Sequence, residues 1–234
     1  MRMLEFLRRF APRVPWSIVF SLFIAFIISF YMMFTIMNDR FMHHQNWYDF
    51  PAPCSRPKDM LDAMAKLAFT ASDVLTQLNV SHALCYGTLW GALRNGEILP
   101  WDNNVDVCVM REQIQRPGWH NLHKAFQSRN LPIVYDYRHG EYSIVDGSAE
   151  VVINVFYSTV WEEVLHDGWE HRFLWFFQDQ PVSFPRRLLA LPLPKIKFHG
   201  KDMPIPHDDL EMLKYLYRDN WWLVKTPPGC PPSQ

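Results

Sequence analysis

The stretch Cys85 to Met110, CYGTLWGALRNGEILPWDNNVDVCVM, concentrates the residue types that handle phosphate and metal. Gly87 lets backbone approach an anion closely, and Thr88 offers a hydroxyl and an amide at a helix start. Arg94 supplies positive charge to a phosphate. If a strand begins at Asp102, residues 102, 104 and 106 share one face, because side chains alternate with period two. Asp102 and Asp106 are then the catalytic carboxylates. With Asn104 beside them they would gather a divalent cation, Mg²⁺ or Mn²⁺, opposite the phosphates of a nucleotide. By residue type alone, the same string also reads as a plain strand–turn–helix with solvated acids.

Other polar residues carry less. His166 and His171 lie five apart, poor spacing for two ligands on one helix face, and read as surface or core histidines. Trp161, Trp169, Trp175, Trp221 and Trp222 read as core and groove-lining residues. Arg186-Arg187 reads as a solvated pair, and His43-His44 as part of a solvated segment. Cys54, Cys85, Cys108 and Cys230 allow three complete pairings, and Cys85 and Cys108 read equally well as buried thiols. No CxxC or CxxH spacing suggests structural zinc. Asn79-Val80-Ser81 is an N-glycosylation sequon.

The elements that must hold these residues follow from periodicity. Met60, Leu61, Met64, Leu67, Ala68, Ala71, Leu75 and Leu78 recur at three- and four-residue steps, predicting an amphipathic helix that closes at Asn79. A strand from His82 to Tyr86 is expected to break at Gly87-Thr88 and give way to a helical turn, Leu89 to Leu93. Strands follow at Val105–Met110 and Val151–Tyr157, with a hairpin from Ile133 to Val145 around His139-Gly140. Helices are expected near Trp119–Ser128 and Asp208–Tyr217. One compact α/β domain fits the pattern. With 49% apolar residues and a net charge of -1, the chain is neither disordered nor suited to nucleic acid.

Residues 16–37, WSIVFSLFIAFIISFYMMFTIM, contain no charge and are long enough to cross a hydrocarbon core of ~30 Å. Arg2, Arg8, Arg9 and Arg13 precede them against one acid, Glu5. The positive-inside rule keeps that end cytosolic. The expected organisation is a cytosolic tail (1–15), a signal-anchor (16–37), a stem (38–57), a lumenal domain (58–225) and a tail (226–234). That is a single-pass type II protein of the Golgi or endoplasmic reticulum membrane.

The string YGTLWGALRNGEILPWDNNVDV resembles the signature of the LicD/fukutin-type nucleotidyltransferase-fold family. A second block, FHGKDMPIPHDDLEMLKYLYRDNWW, resembles the family's closing pattern through Ile205, Pro206, Leu213, Tyr217 and Trp221 or Trp222. The resemblance implies a mixed sheet flanked by helices, and transfer of a phospho-substituent such as ribitol phosphate or phosphocholine from a CDP-linked donor to a glycan. It places Asp106 and Asp102 at family carboxylates and Gly87 and Thr88 at the nucleotide-binding turn. Asn104 stands where the first carboxylate of the family's pair is expected, and Asn154 where a later acid is expected. An amide keeps a carbonyl ligand but brings no charge. The alternatives are a weakened or inactive member that binds a partner transferase, and a metal-dependent glycosyltransferase using Asp102 and Asp106.

Overall fold

The computed structural model describes residues 15–41, 52–173, 183–218, 221–223 and 225–231. Most of the expected stem, the pair His43-His44, and Trp175 lie outside the described residues. Two units result, 1–45 and 46–234. The first holds one helix, α1 (Trp16–Phe41). Its large side chains are exposed, Phe20, Leu22 and Phe26 each by about two thirds (65%, 65% and 67%). Side chains are described over 17–33, about 25 Å of helix against a core of ~30 Å. Among the described residues no helix is long and apolar enough to cross a membrane. The expected span therefore stays a proposal.

In the second unit, α2 (Lys58–Gln77) buries the expected stripe of Met64, Leu67, Ala68, Ala71 and Leu75. It ends where Asn79 turns left-handed, at φ 55°. The sheet comprises β1 (His82–Leu84), β2 (Val105–Met110), β3 (Ile133–Asp136), β4 (Glu141–Asp146), β5 (Ala149–Ser158), β6 (Glu163–His166) and β7 (Ser183–Pro185). Its main order is β1-β2-β5-β4-β3, with β6 joining β5 to β7. Only β2 and β5 run parallel; the other pairs are antiparallel. The expected mixed sheet is thus present, with β2 and β5 at its centre.

Strand register divides the sheet into two unlike faces. Asp106 lies opposite Val152, Cys108 opposite Asn154, Asn154 opposite Glu141, and Glu141 opposite Asp136. Opposed residues share a face, so Asp106, Asn154, Glu141 and Asp136 project together, with Glu150 two alternations along β5. Val107, Ile153 and Tyr142 project the other way. Tyr142 stacks on Trp119, the first residue of α5 (Trp119–Gln127), and α2 packs against α5. These helices cover the apolar face and leave the acidic one for chemistry.

One local boundary changes, and one conditional alignment is not met. The strand after α2 stops at Leu84, and α3 (Tyr86–Arg94) already contains Gly87 and Thr88 in its first turn. Tyr86 takes the entry bend at φ 49°, so the glycine is not the breaker. In contrast β2 begins at Val105, as expected, so the condition for a shared face, a strand starting at Asp102, is not met: the chain turns there, and the Asp102 N–H donates to Leu99 O at 3.0 Å. Residues 102, 104 and 106 therefore do not alternate along one strand.

The short β6 and β7, the hairpin β8 (Lys195–Phe198) with β9 (Lys201–Pro204), and the short helices α4 (Arg111–Ile114) and α6 (Trp169–Phe173) carry too few periodic residues to be expected from pattern. A last helix, α7 (Asp209–Leu216), is where periodicity placed it. Trp221 packs against the core, but Trp161, Trp169 and Trp222 are 82%, 45% and 57% exposed, against the expectation of core or groove. Disulfides join Cys54 to Cys230 and Cys85 to Cys108, which settles the pairing and leaves no free thiol among the described residues.

Candidate functional site

Asp106, near the start of β2, is the centre of the site. Its N–H donates to Thr88 Oγ1 at 2.8 Å, and its carbonyl accepts from Cys85 N–H at 3.1 Å. Helix α3 is thereby tied to β2 at the residue that carries the carboxylate. Thr88 is fully buried, so its hydroxyl serves Asp106 directly. The side-chain amides of Asn104 and Asn154 both lie 3.1 Å from Asp106 Oδ1. Asn104 comes from the bend before β2 and Asn154 from the neighbouring strand, and the parallel pairing brings them to one oxygen.

Asp102 reaches the same place by the turn in the chain. A Cβ on Gly87 would lie 3.0 Å from Asp102 Oδ2, so the missing side chain is what admits the carboxylate to the first turn of α3. Gly91 serves the next turn in the same way: a Cβ there would meet Glu97 O at 2.3 Å. The loop leading to Asp102 can lie against α3 only because both positions lack a side chain.

The site's electrostatics are those of crowded, desolvated acids. Burial raises Asp102 to about 8, with Asp106 adding to the rise and Arg56 opposing it. Burial raises Asp106 to about 7; the Asn154 and Asn104 contacts pull it down while Glu141 and Glu150 push it up. Glu141 is itself raised, by burial first and by Asp136 and Glu150, with His139 opposing. Burial, then Asp106 and Glu141, push the Tyr86 hydroxyl far above the usual phenol range and keep it a donor. Such crowding favours either a retained proton or a bound cation.

The residues present fit a divalent cation in kind. Two carboxylates and two amide carbonyls offer hard oxygen ligands, the set that Mg²⁺ and Mn²⁺ take. A bound cation would supply charge neutralisation for a phosphate. Asp106 and Asp102 would hold it, with Asn104 and Asn154 contributing neutral oxygens.

Of the residues singled out by sequence, Gly87, Thr88, Asp102, Asn104, Asp106 and Asn154 come together. Arg94 does not. It is exposed at the far end of α3, about 10 Å along the axis from Gly87, with its guanidinium 5.9 Å from the Trp90 ring centre. Arg56 is the cation near Asp102 instead, its Nε directed at Trp101 O at 3.5 Å. No spacing signal could have found it, because 45 residues separate it from that carbonyl. Glu141 was missed similarly, since it reaches the site through strand pairing, while His166, read as a surface or core histidine, is a buried one that touches Asn154.

Two neighbouring features border this site, the first sharing Glu141 with it. Asp136, His139 and Glu141 place potential ligating atoms within 4.8 Å of one another. Asp136 already accepts from the N–H groups of Arg138 and His139 and from the His139 ring, so it closes the β3–β4 turn. An open cleft lined by His82, Met110, Arg186 and Leu189 includes none of the site residues. The carboxylates, not the concavity, locate the chemistry.

The family model described as LicD/FKTN/FKRP, nucleotidyltransferase domain, matches residues 79–208. That is more than half of the chain, and the chain belongs to this family. Among curated proteins none matches it. One similar solved structure is ANT(2")-Ia in complex with adenylyl-2"-tobramycin, with 11% identity and a TM-score of 0.43. That likeness covers 67% of this chain and 76% of the other. Another is a STING-associated CdnE c-di-GMP synthase from Capnocytophaga granulosa, with 12% identity, a TM-score of 0.31, and coverage of 70% and 48%. At these scores neither carries an argument about activity. Family membership makes this a nucleotidyl- or phosphotransferase-type domain.

Proposed function

We propose that the chain moves a phospho-substituent, such as ribitol phosphate or phosphocholine, from a CDP-activated donor to a glycan hydroxyl. The observation that carries this reading is the convergence of Asp102, Asp106 and the first turn of α3 on the sheet's acidic face. The donor's phosphates would lie at that turn beside Asp106. There Gly87 makes room for the Asp102 carboxylate, and Tyr86 would present a protonated hydroxyl to the developing charge. An acceptor hydroxyl would attack in line, its proton passing to solvent, and CMP would leave with the electron pair of the cleaved phosphoanhydride bond, while Asp106 and Asp102 would hold the cation that neutralises the phosphates. Incubation of the full chain with CDP-ribitol, CDP-choline or CDP-glycerol and Mn²⁺ should release CMP. Release of UDP or GDP from sugar nucleotides instead would favour a glycosyltransferase.

A second reading has its own observation. Asn104 and Asn154 bring amides where charge is expected, so Asp106 has neutral neighbours at 3.1 Å. A member that binds nucleotide without turnover, working with a partner transferase, is the form this takes. CDP binding by calorimetry with no CMP release would select it.

The membrane reading belongs here too. A helix apolar on every side and exposed along 17–33 has the surface of a lipid-facing element. With the arginine-rich end cytosolic, the catalytic unit would face the lumen of the Golgi or endoplasmic reticulum. Asn79, exposed just after α2, would then be glycosylated. Glycosidase treatment should lower the protein's mass and Asn79→Gln should remove that shift. Protease protection of an N-terminal tag in sealed microsomes would reverse the orientation.

A further inference from the structure

The cleft lined by Met110, Arg186 and Leu189 takes no part in the carboxylate chemistry. It encloses about 390 Å³, within the range of ~300–1,000 Å³ that ligand pockets take. Cys108 lines it as well. Asp106, Cys108 and Met110 alternate along β2, so they project from the same face of the sheet. The cleft therefore begins about 7–13 Å along the strand from the carboxylate, on the carboxylate's side of the sheet. The Cys85–Cys108 disulfide ties the two regions together, because the Cys85 N–H also donates to the Asp106 carbonyl.

The lining is polar but carries no net charge. Glu112 and Glu162 balance Arg186 and Arg187, and burial favours neutral His82. Both guanidinium groups are already engaged: Arg186 lies 3.2 Å from the Glu112 carboxylate, and Arg187 is paired with Glu211. A phosphate would have to break those pairs, whereas a neutral ligand can use them as fixed donors and acceptors. Gln113 adds a buried side-chain Oε1 that finds no hydrogen-bond partner among the described residues. A buried acceptor left without a donor is costly, so this atom points to a donor supplied from outside the chain. An indole stands beside the cleft. Trp161, 82% exposed, precedes Glu162 in the β5–β6 turn, and the Arg186 N–H pins that turn by donating to Glu162 O at 2.9 Å. Paired polar groups next to an open aromatic face suit a sugar ring, which carries hydroxyls at its edge and C–H groups on its faces.

We propose that this cleft binds the acceptor as a neutral carbohydrate, whose hydroxyls pair with Gln113, Glu162 and Arg186 and whose ring packs on Trp161. Calling that carbohydrate the acceptor rests on the transfer reading given above; the chemistry of the cleft does not. The donor is then held at the first turn of α3 and the acceptor further along β2, so that one strand sets the spacing between them. Charge separates the two subsites: the crowded carboxylates call for a cation and phosphates, and the balanced cleft for a ligand with no charge. Trp161 gains a role that core packing does not give it.

The test uses the full chain in micelles of a detergent without a sugar headgroup, applied to an array of neutral, sialylated and phosphorylated oligosaccharides. Neutral glycans should be captured. Affinity for a captured one, followed by calorimetry, should fall about tenfold or more in Trp161→Ala and in Gln113→Leu. Gln113→Leu also removes the orphaned acceptor, so its melting temperature should match or exceed that of wild type. Lost capture with retained stability is an outcome that a purely structural role would not give. Capture of no glycan, preference for the anionic glycans, or equal affinity in both variants and wild type overturns the proposal. Capture of neutral glycans without CMP release from any CDP donor would overturn the transfer reading and leave the carbohydrate cleft standing.

Discussion

At the scale of single residues, the two asparagines beside Asp106 decide how much charge the site holds. Asn104→Asp with Asn154→Asp would add two carboxylates to a cluster where Asp102 and Asp106 are already raised to about 8 and about 7. Like charges this close repel. We expect the double variant to lose several degrees of melting temperature in EDTA and to gain more than wild type from Mn²⁺; equal metal responses would mean that these residues share no site. Wild-type stability should also depend on pH. For Asp102 and Asp106 the folded value lies above the unfolded one of about 4. Their contribution is therefore full below pH ~4 and is lost as pH rises through about 7 and 8. His82 and His166 are lowered, by burial first, so their contribution is lost as pH falls below about 6.5. Melting curves in EDTA should thus show a fall from pH 6.5 to 8.5 that belongs to the carboxylates. Asp102→Asn with Asp106→Asn should flatten it.

At the scale of elements, the site depends on how α3 is fastened to β2. Thr88 Oγ1 is the acceptor for the Asp106 N–H, in a spot closed to water. Thr88→Val keeps the shape and strands that donor, which costs about 1–3 kcal/mol. Thr88→Ser keeps the acceptor and should cost less. Chemical denaturation of the three proteins would rank them wild type, Ser, Val. Val as stable as Ser would show that the hydroxyl does not tie helix to strand. The glycines of α3 act at this scale too, since Gly87 and Gly91 set how closely the turn bearing Asp102 approaches the helix.

At the scale of the whole molecule, Cys54 and Cys230 join segments 176 residues apart, so nearly the entire catalytic unit lies inside one covalent loop. In the chain-entropy picture a loop of that length is worth about 5 kcal/mol, with measured values more often 2–4. Cys54→Ser with Cys230→Ser should therefore lower the melting temperature by several degrees, and non-reducing peptide mapping of the wild type should recover Cys54 linked to Cys230. A Cys54–Cys85 or Cys54–Cys108 peptide would contradict the fold. The bond also holds the segment around Arg56, which lowers the burden on Asp102. Covalent closure and site electrostatics are coupled here.

Local pattern by itself determined the elements whose signal is periodic. The stripe of α2, strand β2 at Val105–Met110, the β3–β4 hairpin and the centre of β5 all follow from side-chain alternation, which is a property of neighbours in sequence. The motif from Gly87 to Asp106 likewise marked the site and its family. What pattern could not decide was where α3 begins and where Asp102 goes. A strained φ at Tyr86 and a turn at Asp102 are settled by packing against β2 and against the bare α carbon of Gly87. Arg94 was misplaced for the same reason: helix length, not residue type, carried it away from the carboxylates. Arg56, Glu141 and His166 entered the site only through long-range pairing and packing. A residue brought in by strand register leaves no trace in local spacing, because the contact exists only once the sheet has closed.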